Sequence, residues 1–275
     1  MRLEMLDFLA AYPVMAYFFV FLFGLTVGSF LNVCIVRLPK EESVAKGRSH
    51  CTKCAKMIAW YDNIPLLSQL LLKGKCRHCG EPISLRYPLV ELLTGLLWIL
   101  LYREFGPTGH FVFFVYLISS LLVATFVDFE HQIIPDEVSL YGILVGLSAS
   151  FLFPALQNET DARYALANSC QGMLAGIGLI WGMAIFGELV FRKESMGGGD
   201  LKLLAMIGTF LGFKKTLLTF FIAPLLGAPV GLIVWKLKDT RYIAFGPYLS
   251  LAALLALLWG DAIIARVIPS PLGAF

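Results

Sequence analysis

The stretch Val123-Ala-Thr-Phe-Val-Asp128-Phe-Glu-His-Gln-Ile-Ile-Pro-Asp136 ends an apolar run that begins near residue 110. No Asp, Glu, Lys or Arg stands between residues 110 and 127, and then a carboxylate arrives. A bilayer crossing takes about 20 mostly apolar residues, so the run is close to a full span. An ionisable group at such an edge is costly to bury and therefore marks a candidate site.

The run is typical of the whole chain. The 275 residues are 58% hydrophobic and 15% charged, and the mean hydropathy is +0.77. Soluble domains are about half apolar and about a quarter charged. Besides 110–127, apolar blocks lie at roughly 12–36, 88–102, 137–155, 169–191, 201–212, 216–235 and 243–265. The expectation is an all-α polytopic membrane protein with about eight hydrophobic segments. The first block follows acidic Glu4 and Asp7 and offers no small-residue cleavage site before Arg37, so it reads as a retained span. The 201–212 block is short and contains glycine. It reads as a half-span or a re-entrant piece, tolerated only where protein or a wet cavity covers its backbone.

Charge orients the bundle. Ten of the 22 basic residues fall between Arg37 and Arg86, which places that loop in the cytoplasm. Counting spans forward, Asp128, Arg192-Lys193 and the run Lys236, Lys238, Arg241 return to the same side. Lys214-Lys215 falls outside, against the rule. The basic loop lacks a stripe of interleaved aromatics, so no nucleic-acid partner is expected; the partner implied by composition is the lipid bilayer.

Four of the six cysteines form two pairs inside this loop, Cys51-Thr-Lys-Cys54 and Cys76-Arg-His-Cys79. Two such knuckles supply four soft thiolates for one tetrahedral ion, and zinc suits that set. A pair of disulfides is the other reading, but a cytoplasmic loop is kept reduced. A loop of this size buries little core, so the metal would be structural. Cys34 and Cys170 lie in or beside spans and read as small buried hydrophobes.

Asp200, in Gly197-Gly-Gly-Asp200, shares with Asp128 the cytoplasmic membrane edge, although 72 positions separate them. Either alone reads as a cap or a surface charge. Together they form a candidate dyad, because two close carboxyls in a low-dielectric setting share one proton and offer an acid and a base at once. The glycines let the backbone bend and a substrate strand approach. Glu130, Asp136 and Glu137 are near enough in sequence to add charge around Asp128, and Asp136 equally suits a helix cap. No Ser-His-Asp pattern, His-Glu-x-x-His helix or phosphate loop is present.

These residues resemble the type IV prepilin peptidases, the prepilin leader peptidases/N-methyltransferases, over nearly the whole chain. The resemblance rests on Gly28 to Pro39, the two cysteine pairs, Asn63 to Ser68, Ile83 to Glu91, Asp128 to Asp136, Gly197 to Lys202 and Phe245 to Tyr248. It implies an intramembrane aspartyl protease of the Gly-x-Gly-Asp type, with Asp128 and Asp200 catalytic and Gly197, Gly198, Gly199, Glu130 and Lys202 in the active-site loop. It implies that type IV prepilins or type II secretion pseudopilins are cut at the cytoplasmic face of the bacterial inner membrane. It further implies N-methylation of the new N-terminal residue with S-adenosylmethionine, with Gly74 associated with methyl transfer. The expected division is a first span at 1–36, a cytoplasmic zinc-binding, methyltransferase-associated loop at 37–87 and a peptidase core at 88–275. Thr52 stands where the family often has proline, and Glu130 where it often has Asp.

Two rival classes fit parts of the chain. A transporter would relay protons through Asp128 and Asp200 but predicts deeper acidic residues and an internal repeat. An inert anchor with a partner-binding zinc loop leaves the glycine-aspartate pairing without purpose.

Overall fold

The computed structural model describes residues 13–47, 49–51, 53–191, 197–238 and 244–267. Arg48, Thr52, Arg192, Lys193, Arg241 and the side chain of Lys238, which entered the charge and motif arguments, lie outside the described residues. Every long element among the described residues is a helix: α1 Pro13–Arg37, α2 Leu67–Leu71, α3 Arg86–Phe105, α4 Gly109–His131, α5 Asp136–Leu152, α6 Ala162–Phe191, α7 Gly198–Lys238 and α8 Gly246–Val267. Among the described residues, five helical stretches are long and apolar enough to cross a bilayer: Pro13–Lys40, Gly109–His131, Ala162–Val190, Gly198–Val234 and Gly246–Val267. Bulky apolar side chains such as Phe18, Phe23, Leu189 and Leu225 face outward from them, as lipid contact requires. The chain is a multi-pass membrane protein. It divides into two compact units, one ending at Val123 and one beginning at Ala124.

In the first unit α1 packs on α3 with almost no side chain between their backbones. A Cβ on Gly24 would lie 2.8 Å from the Cα of Gly95, and one on Gly28 would lie 2.7 Å from the Cα of Glu91. Small residues four apart allow this approach in a medium where apolar burial no longer drives association. Aromatic edges complete the packing of α3 on the start of α4, with Tyr102 and Phe111 rings 5.5 Å apart and the Trp98 indole donating to Ser119 Oγ at 3.3 Å.

The loop from 38 to 85 is tied down by polar contacts rather than by a core. Arg37 at the end of α1 donates to the carbonyls of Ser43 and Lys46 at 3.0 and 2.6 Å. Each cysteine pair makes the same turn: Ala55 N–H donates to Cys51 O, and Gly80 N–H donates to Cys76 O, both at 2.9 Å. Arg77 grips Asp62 with two bonds of 2.7 and 2.6 Å, the fork geometry that suits a guanidinium and a carboxylate.

The second unit is built around the first arm of α7. Leu203, Leu204, Ala205, Met206, Ile207 and Phe210 are all fully buried. Fourteen helical residues, 198–211, rise only about 21 Å, short of the roughly 30 Å hydrocarbon core. The arm survives because protein surrounds it. Met206 lies against Gly142 and Phe210 against Gly146, so the arm runs parallel to α5. At Gly212 the backbone leaves the helix (φ 71°, ψ 177°), a conformation that glycine adopts without Cβ strain. Beyond it Lys215 packs on Gly260 and Gly227 on Tyr248, so residues 213–227 return antiparallel to α8. The short 201–212 block is therefore the buried arm of a hairpin.

Breaking a helix at membrane depth frees carbonyls that lipid cannot satisfy. Side chains from neighbouring elements replace the lost donors. Thr209 O accepts from Gln157 Nε2 at 2.9 Å and Ser169 Oγ at 2.7 Å, and Phe213 N–H donates to Asn168 Oδ1 at 3.3 Å. Lys215, placed against the charge rule, is neutralised by Asp261 at 2.8 Å.

Candidate functional site

Asp128 sits in the last turn of α4. The helix stops just after it because Gln132 turns left-handed (φ 55°) and Pro135 cannot continue the ladder. Gln132 N–H still donates to Asp128 O at 2.9 Å, which closes that last turn. The Asp128 side chain is buried, 6% exposed. Its Oδ2 accepts the backbone N–H of Gly246 at 2.8 Å, from the N-terminus of α8. The free N–H groups and positive dipole end of a helix suit a carboxylate. A Cβ at 246 would lie 2.8 Å from the same oxygen, so the close approach depends on glycine.

Asp200 sits in the first turn of α7, and its carboxylate is reached by the backbone N–H of Gly197. This is the acidic half of a capping box, in which the third helical residue bonds back to the residue before the helix. Asp200 also interacts electrostatically with Asp128. The segments that carry the two aspartates touch directly: a Cβ on Gly199 would lie 3.1 Å from Ile134 Cβ. Lys202 Nζ bonds Asp136 Oδ1 at 2.6 Å across the same seam. Asp136 therefore pairs with Lys202 at the start of α5, where Pro135 rather than Asp136 holds the capping position. Glu130 is exposed two residues beyond Asp128, and Gly197 and Gly198 are exposed at the open end of α7.

In the first unit the sulfur atoms of Cys51, Cys54, Cys76 and Cys79 lie within 4.8 Å of one another. Cys51 and Cys79 are 3.8 Å apart. Zinc–sulfur bonds of about 2.3 Å in a tetrahedron place sulfurs about 3.8 Å apart, so the cluster fits the ion. The backbone N–H groups of Cys54 and Lys53 pull the Cys51 thiol down to about 6. Cys79, although drawn down by the Glu81 N–H, is held up at about 12 by desolvation and the crowding sulfurs of Cys76, Cys54 and Cys51. A divalent cation resolves that crowding and lets all four ionise. The cluster can hold a metal.

Gly74 adopts φ +70°, and a Cβ there would meet Gln69 Nε2 at 3.4 Å. Glu91, which ends the Ile83 to Glu91 motif but is named there as no site residue, accepts the backbone N–H of Leu66 at 2.9 Å. Gly246 was also missed as a site residue. The Phe245-Gly-Pro sequence carries the signal, since proline marks a helix start, where the first backbone N–H groups have no intrahelical partner and can bind a carboxylate.

Residues 22–105 match the bacterial peptidase A24 N-terminal domain, and residues 115–232 match the type IV leader peptidase family. A prepilin leader peptidase/N-methyltransferase of Pseudomonas aeruginosa is 37% identical over 287 residues, covering 95% of this chain and 96% of that protein. The chain belongs to the type IV leader peptidase family. A family member of the same description from Myxococcus xanthus is 43% identical over 217 residues, 78% of this chain and 62% of that protein. Another from Aeromonas hydrophila is 37% identical over 279 residues, 91% of this chain and 93% of that protein. No solved structure matches the chain.

Proposed function

We propose that this chain is a bifunctional enzyme that cleaves the leader of type IV prepilins or type II secretion pseudopilins and N-methylates the residue so exposed. The observation that carries the peptidase half is the electrostatic interaction of Asp128 with Asp200 within one unit, each held by a backbone N–H at a helix start. One carboxylate takes a proton from water as its oxygen attacks the scissile carbonyl carbon. The other carboxyl, protonated, gives its proton to the reacting peptide, and the C–N bond breaks with the amine leaving protonated. No covalent intermediate is needed, and the apparent pKa values belong to the pair. Gly197 and Gly198 leave room for an extended substrate backbone and Gly199 lets α7 close on Ile134, while Lys202 and Asp136 hold the two segments in register. Glu130 contributes negative charge at the rim.

The four cysteines would hold structural zinc that fixes the loop. The second activity follows the N-methyltransferase description of relatives that cover most of this chain. S-adenosylmethionine supplies an electrophilic methyl group, which passes to the terminal amine with loss of one proton and leaves neutral S-adenosylhomocysteine. In this reading residues 1–36 are a first span, 37–87 the cytoplasmic loop that serves methyl transfer and 88–275 the peptidase core. The site faces the cytoplasm from the bacterial inner membrane, as the ten basic residues between Arg37 and Arg86 support.

The test is cleavage of a purified prepilin by the wild type and by Asp128→Asn and Asp200→Asn. Both variants are expected to lose cleavage while keeping one zinc per chain. Cleavage at the wild-type rate by either would remove that residue from the mechanism.

A further inference from the structure

A cavity of about 230 Å³ lies within the first unit, where the last turns of α1 and the first turns of α3 meet the cysteine loop. Apolar walls come from Val33, Val36, Ile64 and Tyr87. Three buried polar side chains also line it, of which Ser68 spends its hydroxyl on Tyr61 O at 3.0 Å. Glu91, 8% exposed, brings a carboxylate. Asn32, 3% exposed, has its Nδ2 committed to the carbonyls of Tyr87 at 3.0 Å and Gly28 at 3.3 Å. Its Oδ1 is left without a hydrogen-bond partner among the described residues.

A buried acceptor without a donor is costly, and native proteins rarely leave one so. Asn32 Oδ1 and the Glu91 carboxylate are both acceptors, so together they ask for a ligand that brings donors and positive charge. Arg77 is already paired with Asp62 there, but Lys53, Lys56 and Arg37 line the cavity too, and their positive charge asks for an anionic group on the same ligand. Apolar walls suit a flat ring between the polar groups. A sulfonium nucleoside with an amino-acid tail has all four features: a cationic centre with an ammonium group, ribose and amine donors, a carboxylate and a purine.

We propose that this cavity is the binding site for S-adenosylmethionine, with Glu91 facing its positive charge and Asn32 Oδ1 accepting one of its N–H or O–H groups. The assignment rests on the N-methyltransferase reading above. It also connects Gly74 to the donor. Gln69 lines the cavity, and a side chain at 74 would touch Gln69 Nε2 at 3.4 Å while being forced into a left-handed backbone.

The test is direct binding, without a pilin, by calorimetry on the full-length detergent-solubilised protein. The wild type should bind the S-adenosylmethionine cation about tenfold or more tightly than neutral S-adenosylhomocysteine, because a buried carboxylate distinguishes the charge. Glu91→Gln should abolish that preference, Glu91→Asp should keep most of it, and Asn32→Ala should weaken both ligands. Zinc content reports whether each variant has folded. If Glu91→Gln does not fold, ultraviolet cross-linking of radiolabelled S-adenosylmethionine to the wild type decides, with label expected within residues 29–91.

A wild-type preference that survives Glu91→Gln, or label found only elsewhere, overturns the assignment while leaving methyl transfer intact. So does a Glu91→Gln defect confined to binding of a peptide that begins with phenylalanine, since the cavity would then serve the amine. If the wild type binds no S-adenosylmethionine and leaves processed pilin unmethylated, the methyltransferase reading falls first and takes this assignment with it.

Discussion

Replacing Gly246 by alanine tests whether the position of Asp128, and not merely its presence, matters. The new Cβ would lie 2.8 Å from Asp128 Oδ2 and 3.3 Å from its Cγ, whereas ordinary contact begins near 3.4 Å. The carboxyl must therefore retreat by about 0.6 Å, the difference between 3.4 and 2.8 Å. It is buried, so it has little room to do so, and the 2.8 Å bond from Gly246 N–H lengthens or breaks. A hydrogen bond to a charged group contributes roughly 1.5–3 kcal/mol, and a misplacement of about 1 Å in a catalytic group costs about a hundredfold. Both routes lead to a fall of about ten- to a hundredfold in kcat for prepilin cleavage, with a smaller change in KM. The assay is leader removal in detergent or proteoliposomes, followed by gel shift over a range of prepilin concentrations. Gly178→Ala is the control, because a Cβ there meets nothing within 4 Å in the same unit. If Gly246→Ala cleaves within twofold of Gly178→Ala, the account of Asp128 held by the start of α8 is wrong.

Three further outcomes follow from the same geometry. Gly212→Ala should lower thermal stability by several degrees, since its Cβ would meet Gln157 Oε1 at 2.6 Å in a backbone conformation that disfavours side chains; an unchanged melting temperature would mean the hairpin is not held as described. Strong chelation should remove one zinc per chain and make the 38–85 loop protease-sensitive, whereas chelation that leaves the loop resistant would show that Arg77–Asp62 and the backbone turns suffice. The Arg77 bonds hold the Asp62 carboxyl below the usual carboxylate range. This support is therefore present above the unfolded pKa of about 3.9 and is lost as pH falls through the depressed folded value. Proteolysis of the loop should rise at strongly acid pH in the wild type, and already at neutral pH in Asp62→Asn; equal resistance of both proteins at neutral pH would count against the pair.

Much of the architecture was legible from residues alone, and for a plain reason. In lipid the solvent itself selects helices, so the length of an apolar block is enough to expect a helical segment. Two cysteine pairs need only local turns to present four sulfurs, and the backbone bonds of Cys51 and Cys76 are indeed local. The aspartates could be placed at one depth because depth follows from position within a span.

Which side chains meet across spans could be decided only in three dimensions. The bonds from Gly246 to Asp128 and from Leu66 to Glu91 join residues 118 and 25 positions apart. The carbonyls freed at Gly212 are satisfied by Gln157 and Ser169, polar residues whose role no periodicity reveals. Hydropathy is a property of one segment at a time, whereas hydrogen-bond partners and close glycine contacts are properties of pairs. Pairs are chosen by packing.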